Sequence, residues 1–257
     1  MRWTRWGALV AAGILTSVAL AYAQRGEGRA QYFEPNIPYD GKFTFARISY
    51  AGGQDFSFGG RGRGGGSQWS HDYPRAERNF TTILSELTAM RVNTTGSVIL
   101  ALSDPELTKF PIAYMAEPGY WNPSDADIVA LRNYLLKGGF LIFDDFNRGN
   151  ETNRTVYNMQ RALPDAQPIQ LPDDHPIFDA FYRIPVAETF HPYSGIQSSY
   201  FGIFEDNDPT RRLMALLNVD ADIAEYWEFS DRGMFPIDNS NTAYKLGVNY
   251  FMYAITR

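Results

Sequence analysis

The stretch Leu135-Leu136-Lys137-Gly138-Gly139-Phe140-Leu141-Ile142-Phe143-Asp144-Asp145 decides the fold class. Before it, Ser124 and Asp127 frame a helix start, and Ile128, Leu131 and Leu135 recur at helical spacing. Gly138 suits the left-handed position that ends such a helix. Phe140 to Phe143 is then continuously apolar, as a strand covered on both faces of a parallel sheet must be. Helix, glycine stop and buried strand together read as one α/β unit.

The same alternation extends outward. Phe43 to Tyr50 alternates apolar and polar residues, a strand pattern. From Pro74 a helix is expected, with Phe80, Ile83, Leu84, Leu87 and Met90 on one face. Short strands are expected at 97–102 and 111–115, a helix at 151–162, and strands at 200–204 and 213–217. A closing helix places Ala243, Leu246, Gly247, Tyr250, Phe251 and Ala254 on one face, while 164–196, rich in proline and aspartate, resists assignment. The expected class is α/β, a mostly parallel sheet sandwiched by helices, with 42–257 as a single domain and 24–41 as an extended lead-in.

Residues 1–23 carry Arg2 and Arg5, an apolar run of 14 residues from Gly7 to Leu20, and Ala21-Tyr22-Ala23. This is the pattern of a secretory signal peptide, and the run is short of the ~20 residues a spanning helix needs. The expectation is a periplasmic or secreted protein with no stable transmembrane span after cleavage. Among 257 residues there is no cysteine, which excludes disulfides, thiolate metal sites and a cysteine nucleophile. A net charge of −6 argues against a nucleic-acid partner. Residues 52–66 hold eight glycines with Arg61 and Arg63 but lack the Lys-Ser/Thr ending of a P-loop, so they read as a lid or a linker.

Ligands of open α/β sheets gather beyond the carboxyl ends of the strands. Two polar segments are expected there: Asp144-Asp145, and Trp69-Ser70-His71-Asp72-Tyr73-Pro74 ahead of the first long helix. Adjacent carboxylates repel, so one pKa rises or a cation lies close; the candidates are Arg47, Arg148, His71, or a divalent metal held by Asp72, Asp144 and Asp145. Against a metal, no standard ligand motif occurs, and a strand-end aspartate commonly caps a helix. His175, in Asp173-Asp174-His175-Pro176-Ile177-Phe178, is either a base oriented by an aspartate or a turn that docks Ile177 and Phe178. His191 has no readable partner, and no G-x-S-x-G elbow supports a serine triad. Tyr114, Tyr120 and Trp121 either line a pocket or shield the sheet.

Several of these pieces together resemble the DUF4159 domain family of exported bacterial proteins. The matching stretches are Phe45-x-Arg47-x-x-Tyr50, Trp69 with Asp72-Tyr73-Pro74-x-Ala76-Glu77, and Leu107 through Tyr114. They continue in Leu131 through Phe140, Asp144-Asp145, His175-Pro176-Ile177-Phe178 and Leu246-Gly247-Val248-Asn249-Tyr250. The resemblance implies a flavodoxin-like sandwich similar to class I glutamine amidotransferase-like domains, and a role in the cell envelope. In amidotransferases the comparable glycine-strand unit leads into an elbow cysteine; here it leads into Asp144-Asp145, so thiol chemistry is excluded. The expectation is a non-catalytic module that holds a partner protein or small ligand through Arg47, Tyr50, His71, Asp72, Tyr73, Asp144, Asp145 and His175. The alternative is a hydrolase using Asp144 or Asp145 as acid/base, metal-assisted with His71 and Asp72. No organic cofactor is implied.

Overall fold

Among the described residues seven strands form one sheet, whose central strands bury apolar residues on both faces. The seven are β1 (Ala46–Ser49), β2 (Val98–Ala101), β3 (Ile112–Ala116), β4 (Phe140–Phe146), β5 (Ile169–Gln170), β6 (Ser199–Phe204) and β7 (Leu213–Val219). Every residue of β3 and β7 is buried. The computed structural model describes residues 33–51 and 67–257, so the signal-peptide reading of 1–23 and the glycine-rich 52–66 lie outside the described residues. Residues 34–51 and 67–257 fall in one compact unit.

The spatial order is β2-β1-β3-β4-β7-β6-β5. β2, β1, β3, β4 and β7 are mutually parallel, and β6 runs antiparallel to both β7 and β5. Setting aside the β5–β6 addition at the edge, the five parallel strands have the flavodoxin-like order, with its switch point between β1 and β3. Five α-helices are described: α1 (Arg75–Leu87), α2 (Asp125–Leu136), α3 (Asn150–Ala162), α4 (Ile223–Phe229) and α5 (Ile237–Thr256). Alternate strand residues feed two cores. Phe45, Tyr114, Ile142 and Leu216 meet Phe80, Trp227 and Phe251 from α1, α4 and α5. Ile48, Met115, Leu141, Phe143 and Leu217 meet Leu131, Leu135 and Met159 from α2 and α3.

The sequence signals for α2 hold in detail. Ser124 Oγ accepts from the Asp127 amide at 3.2 Å, and Asp127 Oδ2 accepts from the Ser124 amide at 3.1 Å. Gly138 follows with φ 108°. Elsewhere the expectations need correction. Phe43 makes only an isolated bridge to Val92, so β1 starts at Ala46. β4 runs on to Phe146, three residues past the apolar run, and 164–196 contains β5 and two short 3-10 turns. Helix α4 shows no helical period in the sequence. Six of its seven residues are buried, and a helix enclosed on all sides has no polar face to set a period. Among the described residues, no helix is long and apolar enough to cross a membrane.

Gly247 lets α5 settle on its neighbours. A Cβ there would lie 2.5 Å from both the Phe80 and Trp227 rings, which themselves stack at 4.4 Å. Alanine gains ~1 kcal/mol of helix propensity, but overpacking a dense core costs ~1–3 kcal/mol. Gly247→Ala therefore lowers the urea midpoint; a higher midpoint would show that the rings yield without cost.

Candidate functional site

The site begins with a mismatch in the β4–β7 ladder. Phe143 pairs with Leu217 and Phe146 with Val219, so Asp144 and Asp145 together oppose Asn218. Such a bulge re-aims side chains, and here it sends the adjacent carboxylates apart. Asp144 turns inward. Asn218 Nδ2 donates to its Oδ1 at 3.0 Å. Its Oδ2 accepts from Tyr114 Oη at 2.8 Å and from the amides of Ile223 at 3.0 Å and Ala224 at 3.3 Å. Burial lifts its pKa to about 6, although Asn218 and Tyr114 pull the other way. Asp144 thus anchors the start of α4, across space and almost eighty residues along the chain. All four of these donors come from inside the fold, and the side chain is wholly buried.

Asp145, at φ 58°, faces the other way and meets His71 Nδ1 at 2.7 Å. The two segments expected at one rim therefore meet there. Arg47 holds the 69–72 segment in place. Its side chain is fully buried, its Nη1 donates to the carbonyls of Trp69 at 2.9 Å and His71 at 2.8 Å, and its Nε pairs with buried Glu77. Arg148 pairs with Asp220. Neither arginine is the counter-charge of Asp144-Asp145; His71 is. Tyr50 donates to the carbonyls of Ala116 at 3.0 Å and Glu117 at 2.6 Å, which pins the end of β3 across the switch point.

Around His71 stand carboxylates, of which the sequence singled out Asp72 and Asp145 but not Glu117, Asp222 or Glu225. Glu117 Oε1 lies 3.6 Å from Nδ1, Asp72 Oδ1 3.7 Å, and Glu225 Oε2 4.0 Å from Nε2. Ligand atoms of Asp72, Asp145 and Asp222 lie within 4.8 Å of one another, as do those of His71, Asp222 and Glu225. Asp72, Glu117 and Asp145 all have positive φ, a conformation that costs non-glycine residues energy and clusters at functional sites.

One imidazole cannot balance five carboxylates, and the imbalance raises their affinity for protons as for any other cation. Burial works against the His71 imidazolium, but Asp145, with Asp222 and Glu117, outweighs it and holds the pKa up at about 10. Burial, then the charge of Asp145, pushes Glu117 up to about 8, with His71 opposing. Asp72 and Asp222 are driven well above the usual carboxylate range, first by burial and then by facing carboxylates. Burial also raises Glu225. Asp222 Oδ1 caps α4 through the Glu225 amide at 3.0 Å, and the residue also lines a small cleft with Phe190, Tyr200 and Tyr226.

The other expected site residues lie elsewhere. Tyr73 accepts the Glu34 amide at 3.2 Å with its hydroxyl. His175 packs among Phe178, Phe204 and Tyr253 and neighbours Phe140 and Leu213, which start their strands. It is therefore at the amino end of the sheet, opposite the cluster. Its Nδ1 accepts the Ile177 amide at 3.2 Å, and Ile177 and Phe178 are buried, so it docks a turn. His191 accepts the Tyr193 amide at 3.2 Å. Trp121 is buried against Phe143 and shields the sheet. Glu117, Asp222 and Glu225 were missed although a usable signal existed. Each follows the end of a parallel strand, the same rule that found Asp145, and Asp222-x-x-Glu225 has the spacing of a helix start.

The model of one family, "Domain of unknown function (DUF4159)", matches residues 44–255. The chain belongs to this family. No curated protein matches it.

Two consequences follow from these contacts. Arg47→Met leaves Glu77 charged and unpaired in the core, which costs ~3–5 kcal/mol, while adding Glu77→Met recovers part of that loss but not the part due to the carbonyls of Trp69 and His71, which still lose their donor; chemical denaturation of both variants checks the contrast. Burial holds His175 below the ordinary 6.5, partly offset by Asp174. A pKa depressed by folding gives stability that is present above the unfolded value and lost as pH falls through the folded one. The urea midpoint should therefore fall less between pH 7 and 5 in His175→Asn, which can keep the cap, than in the parent. An equal fall would assign the loss to other groups.

Proposed function

We propose that the chain is a non-catalytic, amidotransferase-like binding module of the cell envelope. It holds a partner protein or small ligand at the carboxyl-end rim of the sheet, and the bound group carries positive charge. The observation that carries this reading is the convergence of Asp72, Glu117, Asp145, Asp222 and Glu225 on the single imidazole of His71. A cleft so unbalanced attracts cations and repels anions. An exported, periplasmic or secreted location is part of the proposal and is supported by the residue pattern of 1–23. The absence of cysteine removes the amidotransferase nucleophile, which supports binding without turnover.

A second reading has one observation in its favour. Asp145 and His71 are hydrogen-bonded, and Glu117 beside them is held protonated to about pH 8. That triplet has the parts of an acid/base device, with Asp144 excluded from it.

The test is a thermal-shift panel of alkylamines, guanidines and basic peptides, run in EDTA at low ionic strength, beside ester, amide and glycoside substrates. Basic ligands should raise the Tm of the parent. The rise should vanish in Asp145→Asn with Glu117→Gln and shrink at ~0.5 M salt, where screening is strong. Acidic ligands that bind equally well would overturn the charge assignment. Turnover that disappears in Asp145→Asn would establish the hydrolase instead.

A further inference from the structure

The side chain of Asp72 is wholly buried, and neither of its carboxylate oxygens has a hydrogen-bond partner. Glu225 Oε2, also buried, is in the same condition. Burying an ionised carboxylate without compensation is among the most expensive things a fold can do. Asp144 shows how this fold satisfies a buried carboxylate when it has only protein to use, with four donors aimed at two oxygens. Asp72 has no such donors. Its neighbours are the Glu225 carboxyl, which can meet it only by sharing a proton, the ligand atoms of Asp145 and Asp222, acceptors when ionised, and His71 Nδ1, which at 3.7 Å is beyond hydrogen-bond distance. Two carboxylates meet favourably only across a proton or a cation.

We infer that Asp72, Asp145 and Asp222, with Glu225 beside them, bind one hard divalent cation at the switch-point rim. This rests on the reading that the rim takes positive charge, and it names the charge. The oxygens lie within 4.8 Å of one another, a spread that a small cation can draw in to coordination distance of ~2.0–2.6 Å by side-chain rotation alone. The donor set is carboxylate oxygen with one imidazole nearby and no thiol. That suits Mg2+, Ca2+ or Mn2+ and disfavours metals that need sulfur. The framework is already braced. Asp222 is fixed by capping α4, Asp145 is held by His71, and Glu225 Oε1 is engaged by the Tyr193 hydroxyl, which leaves Oε2 free to point inward. Partners of this kind, behind the ligands, set ligand orientation in metal sites. His71 and Glu117, more exposed, form the outer wall through which an ion and its waters would enter.

The experiment uses the whole chain stripped with EDTA and titrated with MgCl2, CaCl2 or MnCl2. Mn2+ binding is followed by loss of the free-ion EPR signal, and all three ions by thermal shift. One ion should bind at one equivalent and raise the Tm by about 5–10 °C at a hundredfold excess over its Kd. Asp72→Asn should remove the binding while raising the Tm in EDTA, because it relieves the uncompensated carboxylate. Asp222→Asn, which can still cap α4, should weaken binding at least tenfold without loss of fold by circular dichroism. Failure of every ion to bind, or equal binding by Asp72→Asn, would overturn the site and leave protons as the occupants. The outcome is separable from the role proposed for the rim. Amine binding in EDTA without any metal effect would refute the cation alone, whereas metal binding together with turnover would refute the non-catalytic module alone.

Discussion

One extra residue in β4 governs the rim. Opposite Asn218 of β7 the ladder accommodates both Asp144 and Asp145, and the register resumes at Phe146. Without that bulge, strict alternation would still place the two carboxylates on opposite faces, but Asp145 would not take the left-handed backbone that turns it to His71. The bulge gives the two residues unrelated duties. Asp144 binds α4 to the sheet through two amides, and α4 in turn carries Asp222 at its start and Glu225 one turn on. The inner carboxylate therefore positions two of the outer ones.

The opposite wall is organised by charge. Arg47 is buried beneath the 69–72 segment, where Glu77 neutralises it and the carbonyls of Trp69 and His71 occupy one of its nitrogens. An arginine suits this place because its planar fork can bind a carboxylate and backbone carbonyls at once, and it also lies over the Tyr114 ring at 5.1 Å. Tyr114 links the two walls, since its hydroxyl donates to Asp144. A continuous set of contacts thus runs from Glu77 through Arg47 and Tyr114 to Asp144 and the start of α4. Rigid walls of this kind let the fold hold several acids at positive φ that a looser frame would release.

The fold was legible wherever one face of an element met solvent or a turn carried its own chemistry. Ser124, Asp127 and Gly138 announced α2 with no help from the rest of the chain. The continuous apolar run from Phe140 to Phe143 was enough to identify a parallel central strand. Legibility failed where burial was complete, as in α4, and where apolar content was low, as in the 164–196 stretch with its two-residue β5. For the site, the rule that ligands collect beyond strand ends found His71 and Asp72 after the first strand and Asp145 after β4. Glu117 after β3 and Asp222 after β7 obey the same rule. For His175 the sequence offered a base or a turn that docks Ile177 and Phe178, and the packing of both residues supports the turn.

The order of residues by itself determined the α/β class, the parallel centre, the family and the exclusion of thiol chemistry, because periodicity, caps and composition are local properties of the chain. Only the tertiary structure decided which of two neighbouring aspartates faces the rim, and that an acid far along the chain stands beside His71. Those outcomes depend on strand order and on a register shift between β4 and β7, which are relations between distant segments. Electrostatics followed the same division: net charge could be summed from the residues, but Asp72 became an unpartnered buried carboxylate only when packing withdrew it from water.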